Sequence, residues 1–243
     1  MSIKNIIKPP ILLILHLIRK IITVLKNHCL PLPPKIYKTY SRFEEEQFEK
    51  SYSYFKPYFE KAIFLETHRI REYAIKESIK NDKYLENHYL EFGIFVGTSI
   101  NFFSKYVKKI YGFDSFEGLK EDWVGFVQPA GTFNLNKKIP KLNSNVVPIV
   151  GWVQDTLDNF LKKEKPRINF VHLDMDTYET TKFILEKIKP YLINDSIIIF
   201  DELYNYPGWQ FGEFKALKEI FNESEYQYIA FSKEGSEAVI KFL

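Results

Sequence analysis

Carboxylates follow two apolar segments in the C-terminal half of the sequence. Asp174 comes directly after the run 169–173, and Asp201 and Glu202 come directly after the run 196–200. Like-charged carboxylates that are brought together repel one another unless protons or a cation intervene. Oxygen-only ligands suit Mg²⁺ or a similar hard divalent cation. We therefore predict that Asp174, Asp201 and Glu202 bind a divalent cation, while Asp176 and Glu179 could instead cap a helix.

A glycine-containing turn follows an earlier apolar segment, in the sequence Glu91-Phe-Gly-Ile-Phe-Val-Gly97. Glycines let a backbone approach a ligand closely, and the N-terminus of the helix that follows offers free N–H groups. The dinucleotide pattern G-x-G-x-x-G is absent. The acidic Glu91 also favours a cofactor that carries a cation over one that carries a pyrophosphate. The alternative is a tight connection with no ligand.

Two further segments end in residues that suit a nucleoside. Asp114 and Ser115 follow the next apolar run, 17 residues after Gly97, where a carboxylate can accept hydrogen bonds from ribose hydroxyls. A helix N-cap is the alternative for this acid. Trp152 and Gln154 follow the third run. Trp152 could pack against the face of an adenine ring and Gln154 could contact its edge, although Trp152 could equally pack in the core.

From residue 88 onward, short apolar runs alternate with helical segments. We predict strands at 89–92, 109–113, 146–150, 169–173, 196–200, 226–231 and 238–242. The pattern favours an α/β fold with a Rossmann-like, doubly wound, mostly parallel seven-stranded sheet and an antiparallel C-terminal hairpin. Such sheets bind ligands at the carboxyl ends of their strands. We expect N-terminal helices over about 41–85 to cap a domain spanning 41–243.

Composition and charge exclude several classes. The chain has 243 residues and one cysteine, which rules out an intrachain disulfide scaffold and a Cys-based zinc site. Residues 1–40 contain seven Lys and Arg residues and no acid, so residues 41–243 carry a net charge of −4. A mildly acidic net charge over residues 41–243 is not typical of a nucleic-acid-binding protein.

The N-terminal segment 1–40 combines an amphipathic apolar run with a Pro-rich connector. Its apolar run is broken at Arg19 and Lys20 and is too short to span a membrane. We expect a cytoplasmic protein whose residues 3–27 make peripheral contact with the inner face of the membrane. The alternative is a helix that packs on this domain or on a second copy in a homo-oligomer.

Five blocks of sequence, read together, resemble a known family. They are Glu91-Phe-Gly-x-x-x-Gly97, Gly112-Phe-Asp-Ser-Phe-Glu-Gly-Leu119, Gly151-Trp-x-x-Asp-Thr-Leu157, Leu173-Asp-x-Asp-x-Tyr-Glu179 and Phe200-Asp-Glu202. The sequence is similar over roughly residues 60–243 to the class I S-adenosylmethionine-dependent methyltransferases, and most of all to the macrocin-type sugar O-methyltransferases.

This resemblance implies a cation-dependent O-methyltransferase that acts on a hydroxyl of a sugar, a glycan or a related polyol. It implies that S-adenosyl-L-methionine contacts Glu91, Gly93, Phe95, Gly97, Thr98, Ser99, Asp114, Ser115, Trp152, Val153 and Gln154. Mg²⁺ would be held by Asp174, Asp201 and Glu202. We expect the segment 119–145 to shape the acceptor pocket.

One position departs from the pattern of the catechol-type relatives. They have a lysine base three residues after the first metal-binding Asp, and this chain has Thr177 there. We predict catalytic roles for Asp174 and His172, with Asp176 and Glu213 as alternatives to His172 for the base.

Two other functions remain open from the sequence. One is a catalytically inactive, methyltransferase-like binding module that associates with a membrane. The other is a nucleotide-sugar or NAD-binding enzyme, which the missing G-x-G-x-x-G disfavours.

Overall fold

A computed structural model of the chain describes residues 14–20 and 38–243. Its contacts divide the chain into two units, residues 1–42 and 43–243. In the first unit, residues 14–20 form a helix, α1. Of the predicted membrane-contacting segment 3–27, residues 3–13 and 21–27 lie outside the described residues, and the predicted boundary at residue 40 stays a prediction. No helix within 14–20 or 38–243 is long and apolar enough to cross a membrane.

The second unit contains an eight-stranded sheet and the remaining α-helices, the first of which begins in the first unit, at Thr39. The strands are β1 (Ile63–Leu65), β2 (His88–Phe92), β3 (Ile110–Asp114), β4 (Val146–Val150), β5 (Ile168–Leu173), β6 (Leu192–Phe200), β7 (Tyr226–Ser232) and β8 (Ala238–Phe242). The helices are α2 (Thr39–Phe59), α3 (Thr67–Ile79), α4 (Thr98–Phe103), α5 (Val153–Glu164), α6 (Tyr178–Ile188) and α7 (Glu213–Ile220).

The strand order is β1-β7-β8-β6-β5-β2-β3-β4. All pairs are parallel except the two that involve β8, which runs antiparallel to both β6 and β7. The predicted α/β class, parallel body and C-terminal hairpin are confirmed. The sheet has eight strands where seven were predicted, because the three-residue β1 is too short to show a strand pattern and is set by its pairing with β7.

Successive residues of the central strands point into two separate cores. On β5, Phe170 packs in one core cluster and Val171 in the other, and both side chains are fully buried. Ile70 of α3 and Ile100 of α4 cover the first of these faces. The α5, α6 and α7 helices cover the opposite face, together with Phe55 of α2. Because both faces are covered, the central strands are continuous apolar runs rather than alternating ones.

Candidate functional site

The carboxyl ends of the neighbouring strands β6, β5, β2, β3 and β4 surround a cavity of about 200 Å³. Nine of the residues predicted to bind cofactor or metal line it: Gly93, Phe95, Asp114, Ser115, Trp152, Val153, Gln154, Asp174 and Glu202. Thus the turn after β2, the acid after β3, the aromatic segment after β4 and the acids after β5 and β6 meet in one place. The sheet brings together residues that are up to about 110 positions apart in the chain.

The glycine turn after β2 lies directly against the end of β5. Gly93 has a φ of +91°, and a Cβ atom added to it would lie 2.0 Å from the backbone oxygen of Asp174. The Asp174 N–H donates to the carbonyl of Phe92 at 3.0 Å. Only glycine fits such an approach in that conformation. The turn therefore fixes the distance between the predicted cofactor and metal sites.

Asp114 holds this turn through its carboxylate. One oxygen accepts hydrogen bonds from the N–H groups of Ile94 and Phe95, both at 2.8 Å, and the other accepts from Phe116 N–H at 2.7 Å. Asp114 also lines the cavity. It therefore orders the turn in addition to facing the space in which a ribose is predicted.

The segment after β4 forms one wall of the cavity. Trp152, Val153 and Gln154 all line it. Lys120, from the preceding loop, lies with Nζ 5.6 Å from the centre of the Trp152 ring and donates to Gln154 at 3.2 Å. Lys120 gave no sequence signal, since a single lysine in a loop forms no diagnostic pattern.

Four residues predicted to contact the cofactor do not line the cavity: Glu91, Gly97, Thr98 and Ser99. Glu91 is fully buried, and it accepts a hydrogen bond from the Ser99 hydroxyl at 2.7 Å. Gly97 has a φ of +81° and precedes α4. In this structure these residues shape the turn and the start of α4.

Three carboxylates meet at the ends of β5 and β6. One oxygen from each of Asp174, Asp176 and Glu202 lies within 4.8 Å of the others. Burial and the charge of Asp201 raise the pKa of Asp174 and of Glu202, and burial raises the pKa of Asp176 to about 7. Glu202 Oε2 is buried without a hydrogen-bond partner. An unpartnered buried oxygen among hard oxygen donors fits a divalent cation such as Mg²⁺.

Asp201 is bonded differently from the other acids. Its Oδ1 accepts from the Arg71 guanidinium at 2.6 Å and lies 3.3 Å from His172 Nε2. Burial would raise the pKa of Asp201, but the hydrogen bonds and charges of His172 and Arg71 hold it below its usual range. Ligand atoms of Asp201, Asp174 and His172 also lie within 4.8 Å of one another. Arg71 gave no sequence signal, because it lies in an ordinary helix far from the motifs.

His172 is enclosed between two carboxylates. Its side chain is fully buried, with Nδ1 3.2 Å from Glu91 Oε2 and Nε2 3.3 Å from Asp201 Oδ1. Burial lowers the pKa of His172, but its close contacts with the carboxylates of Asp201 and Glu91 outweigh it and raise the pKa to about 10. The contact with Glu91 is an ion pair without hydrogen-bond geometry. His172 lines neither of the two cavities described here. Its position favours a positioning role over the predicted role of catalytic base.

A second cavity, of about 270 Å³, adjoins the first and shares Trp123, Asp176 and Thr177 with it. Its remaining wall consists of Glu121, Asp122, Val124, Tyr178, Glu179, Phe211, Gly212 and Lys215. Trp123 comes from the segment 119–145 that was expected to shape the acceptor pocket. Glu213 lines neither cavity, and its carboxylate accepts from the Glu202 N–H at 3.1 Å.

Comparisons with known proteins agree with this geometry. Residues 90–203 match a family model described as a methyltransferase domain. No curated protein matches the sequence. The solved structure of CalS11, a calicheamicin methyltransferase, is similar with a TM-score of 0.58 and 20% identity, covering 97% of this chain and 93% of that one.

Two further structures have the same fold. The apo structure of CalS11, described as a TDP-rhamnose 3′-O-methyltransferase, gives a TM-score of 0.53 at 20% identity and covers 92% of each chain. The structure of the O-methyltransferase NovP gives a TM-score of 0.54 at 15% identity and covers 72% of this chain and 78% of that one. Together, these findings assign a methyltransferase domain to residues 90–203 and give the chain a Rossmann-like methyltransferase fold. The predicted family class and enzyme class are confirmed.

Proposed function

We propose that this protein is a divalent-cation-dependent O-methyltransferase that methylates a hydroxyl of a sugar, a glycan or a related polyol. One observation carries the proposal. The cavity joins the Gly93 turn and Asp114, which suit the cofactor, to Asp174 and Glu202, which suit a cation. Cation-assisted methyl transfer needs the cofactor and the cation-bound hydroxyl side by side, because the reaction depends mainly on alignment of donor and acceptor.

The residues of the chain would bind the cofactor and the cation and align them with the acceptor hydroxyl. Gly93, Phe95 and Asp114 would bind the methionine and ribose parts of S-adenosylmethionine, with Trp152 and Gln154 at the adenine. Mg²⁺ would be held by Asp174, Asp201 and Glu202. When bound, the cofactor supplies the methyl group, and the cation lowers the pKa of the acceptor hydroxyl.

Asp176 is the proton acceptor that the geometry supports. It lines both cavities, whereas His172 and Glu213 line neither. A base must lie within hydrogen-bond reach of the proton that it removes. Thr177, at the position of the lysine base of catechol-type relatives, also lines both cavities, but its hydroxyl is too weakly basic to serve.

The second cavity supports a sugar-like acceptor. Its wall combines the aromatic side chains of Trp123, Tyr178 and Phe211 with the carboxylates of Glu121 and Asp122. Aromatic rings pack on the apolar faces of sugars, while carboxylates accept hydrogen bonds from hydroxyl groups. CalS11, which shares the fold, is described as a TDP-rhamnose 3′-O-methyltransferase.

Calorimetry of S-adenosylhomocysteine binding tests the cofactor part of the proposal. We expect micromolar affinity for the wild type and a loss of about 100-fold in Asp114→Ala, which removes the three hydrogen bonds that order the turn as well as the ribose contact. Asp122→Ala, whose carboxylate accepts from Ala130 N–H in the loop, is the matched control. Absence of binding by the wild type would contradict the proposal and favour the inactive-module alternative.

Transfer of a labelled methyl group tests the acceptor part. Free sugars, methyl glycosides, nucleotide sugars and catechols would be supplied with MgCl₂ or with EDTA. Methylation of a sugar hydroxyl that stops in EDTA is expected. Methylation of catechols alone, or equal turnover in EDTA, would contradict the proposal.

We also propose that residues 3–27 make peripheral contact with an anionic membrane surface. Ile14, Leu15, Leu17 and Ile18 of α1 are exposed, and Arg19 and Lys20 lie beside them. Exposed apolar residues beside basic ones suit an interfacial helix. Flotation with anionic liposomes tests this, with neutral liposomes as the control. Protein that stays at the bottom of both gradients would contradict it.

A further inference from the structure

A row of alternating charges runs beneath the active site. It consists of Glu91 on β2, His172 on β5, Asp201 after β6 and Arg71 on α3. The contacts are 3.2 Å from Glu91 to His172, 3.3 Å from His172 to Asp201 and 2.6 Å from Asp201 to Arg71. We refer to these four residues as the buried charge row.

The sheet places the row on a single face. Glu91 pairs in register with His172, and His172 with Ile199. Asp201 is two residues beyond Ile199 and so leaves the sheet on the same side. Phe103 of α4 covers the His172 ring at a centroid distance of 5.2 Å. The helix α4, which follows the cofactor turn, therefore covers the middle of the row, whereas the side chains of Asp201 and Arg71 are partly exposed.

The two ends of the row reach two different sites. At one end, Glu91 accepts from the Ser99 hydroxyl at 2.7 Å, and Ser99 lies in the first turn of α4, directly after the glycine turn. At the other end, Arg71 and His172 both contact Oδ1 of Asp201, which leaves Oδ2 for other partners. The predicted cofactor and cation sites are thus joined by three contacts through one imidazole.

We propose that His172 and Arg71 are positioning residues that make the binding of the cofactor and of a divalent cation cooperative, an inference that rests on the proposed function. A cation held in part by Asp201 would fix that carboxylate, and with it the His172 ring and, through Glu91 and Ser99, the start of α4. A cofactor that orders α4 fixes the same row from its other end. Coupling between two sites is reciprocal, so each ligand raises the affinity of the other by the same factor.

The test measures S-adenosylhomocysteine affinity by calorimetry in saturating MgCl₂ and in EDTA. This probe carries no sulfonium charge, so direct repulsion between the ligand and the cation does not enter the comparison. We expect Mg²⁺ to tighten binding to the wild type by at least about fivefold, the lower end of typical coupling factors. The reverse titration, Mg²⁺ with and without S-adenosylhomocysteine, should give the same factor.

Two variants break the row at different points. His172→Gln cannot bridge both carboxylates, and Ser99→Ala removes the hydrogen bond from α4 to Glu91. The coupling factor should therefore fall to about one in both variants. His88→Gln and Arg167→Gln are matched controls at the amino ends of β2 and β5, at the opposite edge of the sheet. Both controls should keep the wild-type factor. Arg71→Lys should retain more of the coupling than Arg71→Met.

The outcomes separate this inference from the proposed function. The wild type could bind S-adenosylhomocysteine in calorimetry and Mn²⁺ in electron paramagnetic resonance, yet show a coupling factor of one. That result would overturn only the inference. A wild-type factor that persists in folded His172→Gln also overturns it. If His172→Gln does not fold, the coupling factor of Ser99→Ala decides the test, since removing one hydroxyl is a small change that leaves the fold intact. No binding of S-adenosylhomocysteine by the wild type would overturn the proposed function and this inference together.

Discussion

The two halves of the active site are built by different physical means. On the side of β2, β3 and β4, the wall is held by backbone groups: Gly93 and Gly97 have positive φ angles, and Asp114 accepts three N–H hydrogen bonds. On the side of β5 and β6, buried carboxylates are crowded together with raised pKa values. The first half is satisfied by the protein alone, whereas the second is electrostatically incomplete without a cation or protons.

The largest effect is expected from removing a carboxylate of the incomplete half. Asp174→Asn should lower turnover by about 1,000-fold, because a bound cation contributes several kcal/mol to charge stabilisation. S-adenosylhomocysteine affinity measured in EDTA should change by less than about threefold, since the cofactor wall does not depend on this charge. Asp158→Asn, a surface acid paired with Lys187, is the control. Turnover near the wild-type value would remove the cation from the mechanism.

The next effect is expected where the two halves touch. Gly93→Ala would put a methyl group against the Asp174 backbone in a conformation that L-residues rarely adopt. We expect a loss of about 3 kcal/mol in the free energy of unfolding, with loss of cofactor binding. Gly131→Ala is the matched control, since Gly131 has a φ of +83° but no atom within 4 Å of the added methyl. It should lose only about 1 kcal/mol. Equal losses would mean that contact with Asp174 is unimportant.

A smaller effect is expected at the adenine wall. Trp152→Leu should weaken S-adenosylhomocysteine binding about tenfold, because stacking of a base on an aromatic ring contributes roughly 1–3 kcal/mol. Lys120→Met, which removes the ammonium above the same ring, should change the affinity by less than about threefold. Titration calorimetry measures both. A Trp152 variant with unchanged affinity would support the alternative that this side chain only packs.

The smallest effect is the pH dependence of stability. A carboxyl pKa that is raised on folding stabilises the protein at low pH, and this contribution is lost as the pH rises through the folded-state value. For Asp176 that value is about 7. The melting temperature in EDTA should therefore fall between about pH 4, the ordinary carboxyl value, and about pH 7, and MgCl₂ should offset the fall increasingly as the pH rises. If MgCl₂ raised the melting temperature equally at every pH, the carboxylates after β5 and β6 would not be electrostatically incomplete.

Much of the sheet was predictable from local patterns. The strands Val146–Val150 and Ala238–Phe242 begin and end where they were predicted, and the other five predicted strands differ by one to four residues at an end. Short apolar runs between helices produce this signal because strands buried on both faces have no polar residues to interrupt them. The strand Ile63–Leu65 was not predictable, since two of its three side chains are exposed.

The candidate site was predictable where it depends on the ends of strands. Asp114, Trp152 and Asp174 all line the cavity, since parallel strands deliver their next residues to the same edge. The bonding of Asp201 was not predictable. It depends on Arg71, which is 130 positions away in the sequence and reaches the site only because α3 packs on β6.

The sequence by itself therefore determined the class of fold, the edge of the sheet at which ligands bind and the chemical types of residue found there, because periodicity and strand ends are local properties of the chain. The tertiary structure decided which of those residues face open space. His172 and Asp174 are two positions apart, on one strand and just beyond it, yet His172 is sealed between Glu91 and Asp201 while Asp174 lines the cavity. That distinction comes from the helices that cover one face, and packing between distant segments leaves no pattern in the local sequence.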